Sequence, residues 1–260
     1  MTSKIDATYI ELRERILFGE LPAGSPLSES DIVAHTGVTL PMARQLRLAL
    51  AVGGYLTRTG RSYVVATFTK EQVEEWRLAL GAIVEIGALR LALVGGSKLD
   101  AVAEFLETNL RSHDVEEEAF FIGAITFTTV ILGGRGSTLS ELVEQSIPQA
   151  FFRLLWLSDA YAERTGFLVE ACDHYLNAAR AGDLEGVRAA CRSFFDSVAP
   201  ALHTLIERME AGDYPTNDKQ DGFQSIEPQI SGMATYTGSA RATKLLFSPL
   251  ADADLTTRWD

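Results

Sequence analysis

Apolar residues recur over the first part of the chain with a helical period three times, and then in two short runs. In residues 7–18 (ATYIELRERILF), Tyr9, Leu12, Ile16 and Leu17 share one helical face, and Gly19 ends the element. Leu21-Pro22-Ala23-Gly24-Ser25 reads as a turn. Ser28 suits the N-cap of a short helix through Ala34 whose Ile32 and Val33 meet a core. Gly37 breaks that helix, Thr39 caps a third one to about Val52, and Gly53-Gly54 ends it. Tyr55–Arg58 and Ser62–Ala66 then read as strands joined at Thr59-Gly60-Arg61. Helix, helix-turn-helix and hairpin, in that order, predict a winged helix.

From Thr69 onward the pattern is helical. Thr69 followed three residues later by Gln72 opens a long helix to about Val94, which Gly95-Gly96 closes. Further helices are predicted over 98–113, 115–132, 138–160, 164–180 and 184–211, with Pro148 and Pro200 kinking two of them. Amphipathic helices of this length make a bundle. From Pro215 the chain turns rich in Gly, Ser, Thr, Asp and Gln without a sustained period, with one short apolar anchor at Leu245-Leu246-Phe247. The predicted fold class is mainly α. A winged helix-turn-helix spans 1–68, an all-helical bundle spans 69–211, and 212–260 form an irregular or disordered extension.

Composition adds a charge argument. The 260 residues carry a net charge of −12, which speaks against nucleic acid if taken as one number. Its distribution speaks the other way. Residues 1–68 hold seven cations and six anions, so the acidic excess lies entirely in the rest, and residues 32–68 contain Arg44, Arg47, Arg58 and Arg61 with no acid between them. A stretch stripped of carboxylates beside an acidic body is what phosphate contact needs. No apolar run approaches the ~18 residues of a membrane span, and the start lacks the apolar core of a secretory signal. Cys172 and Cys191 are the two cysteines, too few for a disulfide framework and suited to a reducing cytoplasm.

Catalytic patterns are missing. There is no Gly-x-Ser-x-Gly, no phosphate-binding loop and no His/Cys metal spacing. Gly133-Gly134-Arg135-Gly136 follows a helix and is a loop. The acidic run Asp114-Val115-Glu116-Glu117-Glu118 points around a helix and suits a solvated first turn. No residue is assigned a catalytic role, and the chain is not read as an enzyme.

The run Leu12-Arg13-Glu14-Arg15-Ile16-Leu17-Phe18-Gly19-Glu20-Leu21-Pro22-Ala23-Gly24-Ser25-Pro26-Leu27-Ser28-Glu29 closely resembles the opening of the GntR-family winged helix. Ala181-Gly182-Asp183-Leu184-Glu185-Gly186-Val187-Arg188 resembles a turn of the FCD effector domain in the FadR-type subfamily. The resemblance covers roughly 7–211 and implies a transcriptional regulator that binds a double-stranded DNA operator as a homodimer, its helical domain receiving a small-molecule effector. In such regulators the third helix enters the major groove and the hairpin wing touches the minor groove. The family's Ser-Arg-Thr-Pro-Val-Arg falls on Thr39-Leu40-Pro41-Met42-Ala43-Arg44. Thr39, Arg44, Arg47, Arg58, Gly60 and Arg61 are thereby implied in DNA binding. Leu40 replaces the usual base-reading arginine and Ser62 the second wing glycine, which favours the alternative of a regulator-derived protein that has lost specific DNA binding and acts through protein partners.

The family's metal ligands, an aspartate and three histidines, fall on Ala124, Thr128, Cys172 and Phe194. No metal and no cofactor is therefore expected. His174 lies two residues from Cys172, about 200° around a helix. Phe120, Phe121, Phe127, Phe151, Phe152, Trp156, Phe194 and Phe195 could line an apolar cavity, or simply fill the bundle core. Arg77, Phe127, Thr128, Cys172 and Phe194 are taken as the effector pocket; Glu85 lies near it, and the family's pocket arginine falls at Gly81.

Overall fold

The computed structural model describes residues 4–109, 124, 127–134, 136–158 and 165–215. The first elements are α1 (Lys4–Leu17), α2 (Glu29–Thr36), α3 (Leu40–Val52), β1 (Leu56–Thr59) and β2 (Ser62–Val65). Ser28 and Asp31 form a reciprocal capping box on α2, and Gly37 closes it. Thr39 stands at the N-cap of α3, but its side chain makes no capping bond. The strands pair antiparallel with Leu56 opposite Val65 and Thr59 opposite Ser62, and Pro26 bridges to Val64. Leu12, Ile16, Leu17, Ile32, Leu46, Leu50, Tyr55 and Val65 are buried between these elements. This is a winged helix.

The rest is helical. α4 (Lys70–Val94) is followed by α5 (Ser97–Asn109), a helical turn over 127–131, α6 (Thr138–Ser146), α7 (Gln149–Leu157), α8 (Thr165–Ala181) and α9 (Leu184–Glu210). The Thr69/Gln72 capping box opens α4 as the sequence predicts. Long α9 packs along both α4 and α8 and forms the spine of the bundle. Most of 110–132, and the C-terminal extension from 216 on, with its Leu245-Leu246-Phe247 segment, lie outside the described residues.

The helix predicted over 138–160 is two helices and not one kinked helix. Ile147 is extended and Pro148 becomes the N-cap of α7. The ring of a proline disfavours helical backbone at the residue before it, so the chain breaks at Ile147. Pro200, by contrast, remains inside α9.

That break lets α7 dock on the winged helix. Ala150 N–H donates to the Gly53 carbonyl at 2.9 Å, and Tyr9 O–H donates to Gln149 Oε1 at 2.8 Å. Gly54 has φ +83°, and a Cβ there would come 2.7 Å from the Pro148 ring, so glycine is required twice over. Beneath these contacts Arg153 of α7 reaches Glu14 of α1, Nη2 to Oε2 at 2.7 Å, while Arg13 Nε donates to the other oxygen at 2.7 Å. All three side chains are buried.

Candidate functional site

The outward face of α3 carries Thr39, Leu40, Pro41, Arg44, Gln45 and Leu48, because Ala43, Leu46 and Leu50 turn into the core. Its first turn has no acidic residue. An acid nevertheless arrives through space. Glu29, in the first turn of α2, accepts from Arg44 Nε at 3.1 Å and lies 2.7 Å from Arg47 Nη2. The hydrogen bond from Arg44 holds the Glu29 carboxyl below its ordinary range, with the Arg47 charge adding to it against the effect of burial. Arg44 stays 64% exposed in this pair, while Arg47 is 22% exposed and also lies over the Tyr63 ring at 4.7 Å. Arg44 is thus presented to solvent and Arg47 is largely a brace between α2, α3 and the wing.

At the hairpin tip Gly60 takes the left-handed conformation (φ +63°) and its carbonyl accepts from Arg58 Nε at 3.1 Å. Arg58, Gly60 and Arg61 are all exposed. Two cations therefore sit on a short wing beside the α3 face.

The second site is an apolar cavity between α4, the turn at 127–131, α8 and α9. Its volume is about 40 Å³, and it is lined by residues including Val84, Phe127, Thr128, Ile131, Leu168, Cys172, Tyr175, Cys191, Phe194 and Phe195. Among the described residues no charged side chain lines it. Thr128 Oγ1 donates to the Ala124 carbonyl at 2.9 Å and Tyr175 O–H to the Ala88 carbonyl at 3.4 Å, so both hydroxyls already have acceptors. Burial pushes the Cys191 thiol up to about 12, with the Glu85 charge adding to it, and desolvation raises Tyr175 as well.

Phe127, Thr128, Cys172 and Phe194 come together on this cavity, from three separate stretches of chain. Arg77 does not join them. It is buried in a fork with Glu74 (2.8 and 2.5 Å) and reaches Asp196 at 2.9 Å, so its charge is used between α4 and α9. Glu85 is likewise held by Arg192 at 3.1 Å and Arg188 at 3.5 Å. Phe151, Phe152 and Trp156 are core side chains on α7, and Phe120 and Phe121 lie outside the described residues. Gly81 lets α9 approach, since a Cβ there would meet the Phe195 ring at 3.2 Å. Phe195 joins the wall as one of the aromatics that could line a cavity, whereas Cys191 and Tyr175 are not singled out by the sequence; their burial on α8 and α9 is what finds them.

The positions aligned with a family metal site do not fit a metal. Ala124 and Phe194 offer no side-chain donor, and Thr128 and Cys172 cannot replace a carboxylate and three imidazoles. Among the described residues no group of three His, Cys, Asp or Glu side chains could hold one elsewhere. No helix among them is long and apolar enough to cross a membrane.

A winged helix docked on a helical bundle, with an exposed arginine-bearing third helix, defines the class of fold. Solved structures share it. Lar of Listeria monocytogenes, described as controlling expression of the agr system and mediating virulence, superposes with a TM-score of 0.61 at 17% identity, covering 79% of this chain and 99% of its own. A putative transcriptional regulator GntR from Rhodococcus sp. RHA1 superposes with a TM-score of 0.52 at 20% identity, over 77% and 98% of the two chains. McbR/YncC of E. coli gives 0.52 at 20% identity, over 78% and 99%. At these identities the likeness is one of fold. No protein-family model matches the sequence, and no curated protein does.

Proposed function

We propose that this protein is a cytoplasmic transcriptional regulator of the GntR family, of the FadR-type subfamily with an FCD-like helical domain. Its segment 1–68 binds a double-stranded DNA operator, and its segment 69–211 takes a small-molecule effector and dimerises. Thr39, Arg44 and Arg47 on or before α3, with Arg58, Gly60 and Arg61 on the wing, form the DNA face. The observation that carries this reading is the outward α3 face, which shows Arg44 to solvent beside a wing bearing Arg58 and Arg61. Three exposed cations on the third helix and the wing of an otherwise acidic protein are the electrostatic footprint of a phosphate-contacting module. Regulation replaces catalysis in this account.

The effector acts through the apolar cavity and needs no divalent metal. With no charge among the described residues of its wall, the cavity suits a small apolar ligand carrying few polar groups, and a small hydroxy acid would lack a counter-ion among them. A ligand there would press on α9, which also packs against α7, and α7 holds the winged helix through Gly53 and Glu14. That chain of packed elements supports coupling between the two sites.

A second reading is favoured by one observation. Leu40 and Leu48 are half-exposed on the same α3 face, which suits a protein partner in place of DNA. Selection of bound fragments from a genomic library at low salt separates the two. Enrichment of discrete fragments supports the DNA reading; no enrichment over background contradicts it and leaves the partner reading.

A further inference from the structure

The exposed arc of α3 is built as a row. Leu40, Arg44, Leu48 and Val52 follow one another at intervals of four residues, so each lies ~40° further round the helix and ~6 Å further along it. Leu40 is 50% exposed, Leu48 48% and Val52 78%. Ala43, Leu46 and Leu50 are buried on the opposite side, so the core is filled without these three. Leu40 differs from the other two in its place. It stands in the first turn of α3, directly before exposed Pro41, and the first turn of a helix lying in the major groove is the part that reaches base edges. Most of what a base edge offers there is a hydrogen-bond donor or acceptor, which a leucine cannot use. The apolar group that the major groove displays is the C5-methyl of thymine. Arg44, one turn on, comes to the groove partly engaged, because Glu29 accepts from its Nε at 3.1 Å and from its Nη2 at 3.4 Å.

We propose that Leu40 is a specificity-determining residue: it packs against the C5-methyl of a thymine in the major groove and selects a T·A pair under the start of α3. The inference rests on the DNA reading of the proposed function and names what that face selects. Two observations favour duplex DNA over a protein as the occupant. Arg44, 64% exposed, stands between Leu40 and Leu48 in the row, so the contiguous apolar stripe that a protein partner would need is interrupted by a cation. The charge around Leu40 also complements phosphate. Arg58 and Arg61 are exposed on the wing, residues 32–68 carry no acid, and Glu29, the acid that reaches this face, is held by Arg44 and Arg47. Gln45, exposed on the same arc, has the donor and acceptor that pair with adenine, so the polar reader beside the apolar one suits the same kind of base pair.

The test uses the full chain and a fragment selected from the genomic library at low salt. Each thymine of the bound site is replaced singly by deoxyuridine, which removes the C5-methyl and leaves the hydrogen-bonding groups as they were. Wild type is expected to bind about three- to five-fold more weakly when one particular thymine per bound chain is replaced, the effect of returning one methyl to water. Leu40→Ala is expected to bind the thymine and deoxyuridine forms of that position within about two-fold of each other, as a coupled pair requires. Leu40→Met, which keeps an apolar side chain of similar volume, is expected to retain the discrimination. Leu48→Ala is expected to retain it too, which separates a contact from a general loosening of α3. The salt slope of Leu40→Ala is expected to match that of wild type, since no phosphate contact is lost. Helical circular dichroism is expected to be unchanged in all three variants, because both positions are half-exposed. A site in which no thymine is sensitive to deoxyuridine overturns the assignment and leaves the DNA reading standing. So does a Leu40→Ala that stays as sensitive as wild type, or a Leu48→Ala that loses the same sensitivity. If no fragment is enriched over background, the DNA reading and the inference fall together, and the exposed leucines belong to a protein partner.

Discussion

Glu29 cancels part of the charge that Arg44 and Arg47 would present to DNA, and it does so in the free protein. A carboxylate at that place repels phosphate, so the arginines must give up a partner to reach the backbone. On the proposed function this would lower affinity for any duplex, and least where a specific base contact replaces the lost pair. Glu29→Gln is therefore expected to bind random duplex several-fold more tightly than wild type. The slope of log affinity against log salt is expected to steepen by about 0.9, the value for one further phosphate contact. Unchanged or weaker binding to random duplex would show that Glu29 only braces the helices. The arginines of this site were legible in the sequence, as four cations without an intervening acid. Their partner was not, because Glu29 lies 15 residues before Arg44 and meets it only when α2 folds across α3. Arg77 failed in the same way: its sequence position says nothing of Asp196, which lies 119 residues on.

At the level of elements, local chemistry was readable wherever a cap or a glycine fixed it. Ser28 as an N-cap, Thr69 with Gln72, and Gly37 all act as their sequence neighbourhoods predict, and Asp31 adds the reciprocal half of the Ser28 cap. α7 is the exception. Its apolar run joins smoothly to that of α6, and Pro148 marks a kink in the sequence without telling that it separates two helices and lets α7 turn onto the winged helix. The decisive contact, Glu14 with Arg153, spans 139 residues. Burial lowers the Arg153 pKa and the Glu14 charge opposes that effect, so the carboxylate is what keeps the guanidinium tolerable there. Glu14→Gln is expected to destabilise the protein by about 3–5 kcal/mol, the range for breaking a buried ion pair from one side. Urea unfolding followed by circular dichroism measures it. A change below about 1 kcal/mol, the range of exposed pairs, would mean that the winged helix is held by its other contacts.

On the scale of the whole molecule, the two-part plan was legible because periodicity changes character at Thr69, whereas the cavity was legible only through the family resemblance, because it is made by helices that converge from distant segments. Phe127, Thr128, Cys172 and Phe194 meet on its wall, which brings three of the four positions aligned with a family metal site into one apolar space. The melting temperature of protein purified without chelator is accordingly expected to be unmoved by EDTA. A large EDTA-induced drop, with stoichiometric zinc, nickel or manganese by elemental analysis, would place a metal here after all. On the proposed function Arg44 and Arg61 carry the DNA binding of an acidic protein, and salt tests this most directly. Affinity for a selected fragment, measured across a salt series, is expected to fall steeply on a log–log plot. Arg44→Ala and Arg61→Ala are each expected to flatten the slope by about 0.9, as one phosphate contact disappears. A wild-type slope near zero, or slopes that neither substitution changes, would contradict the account.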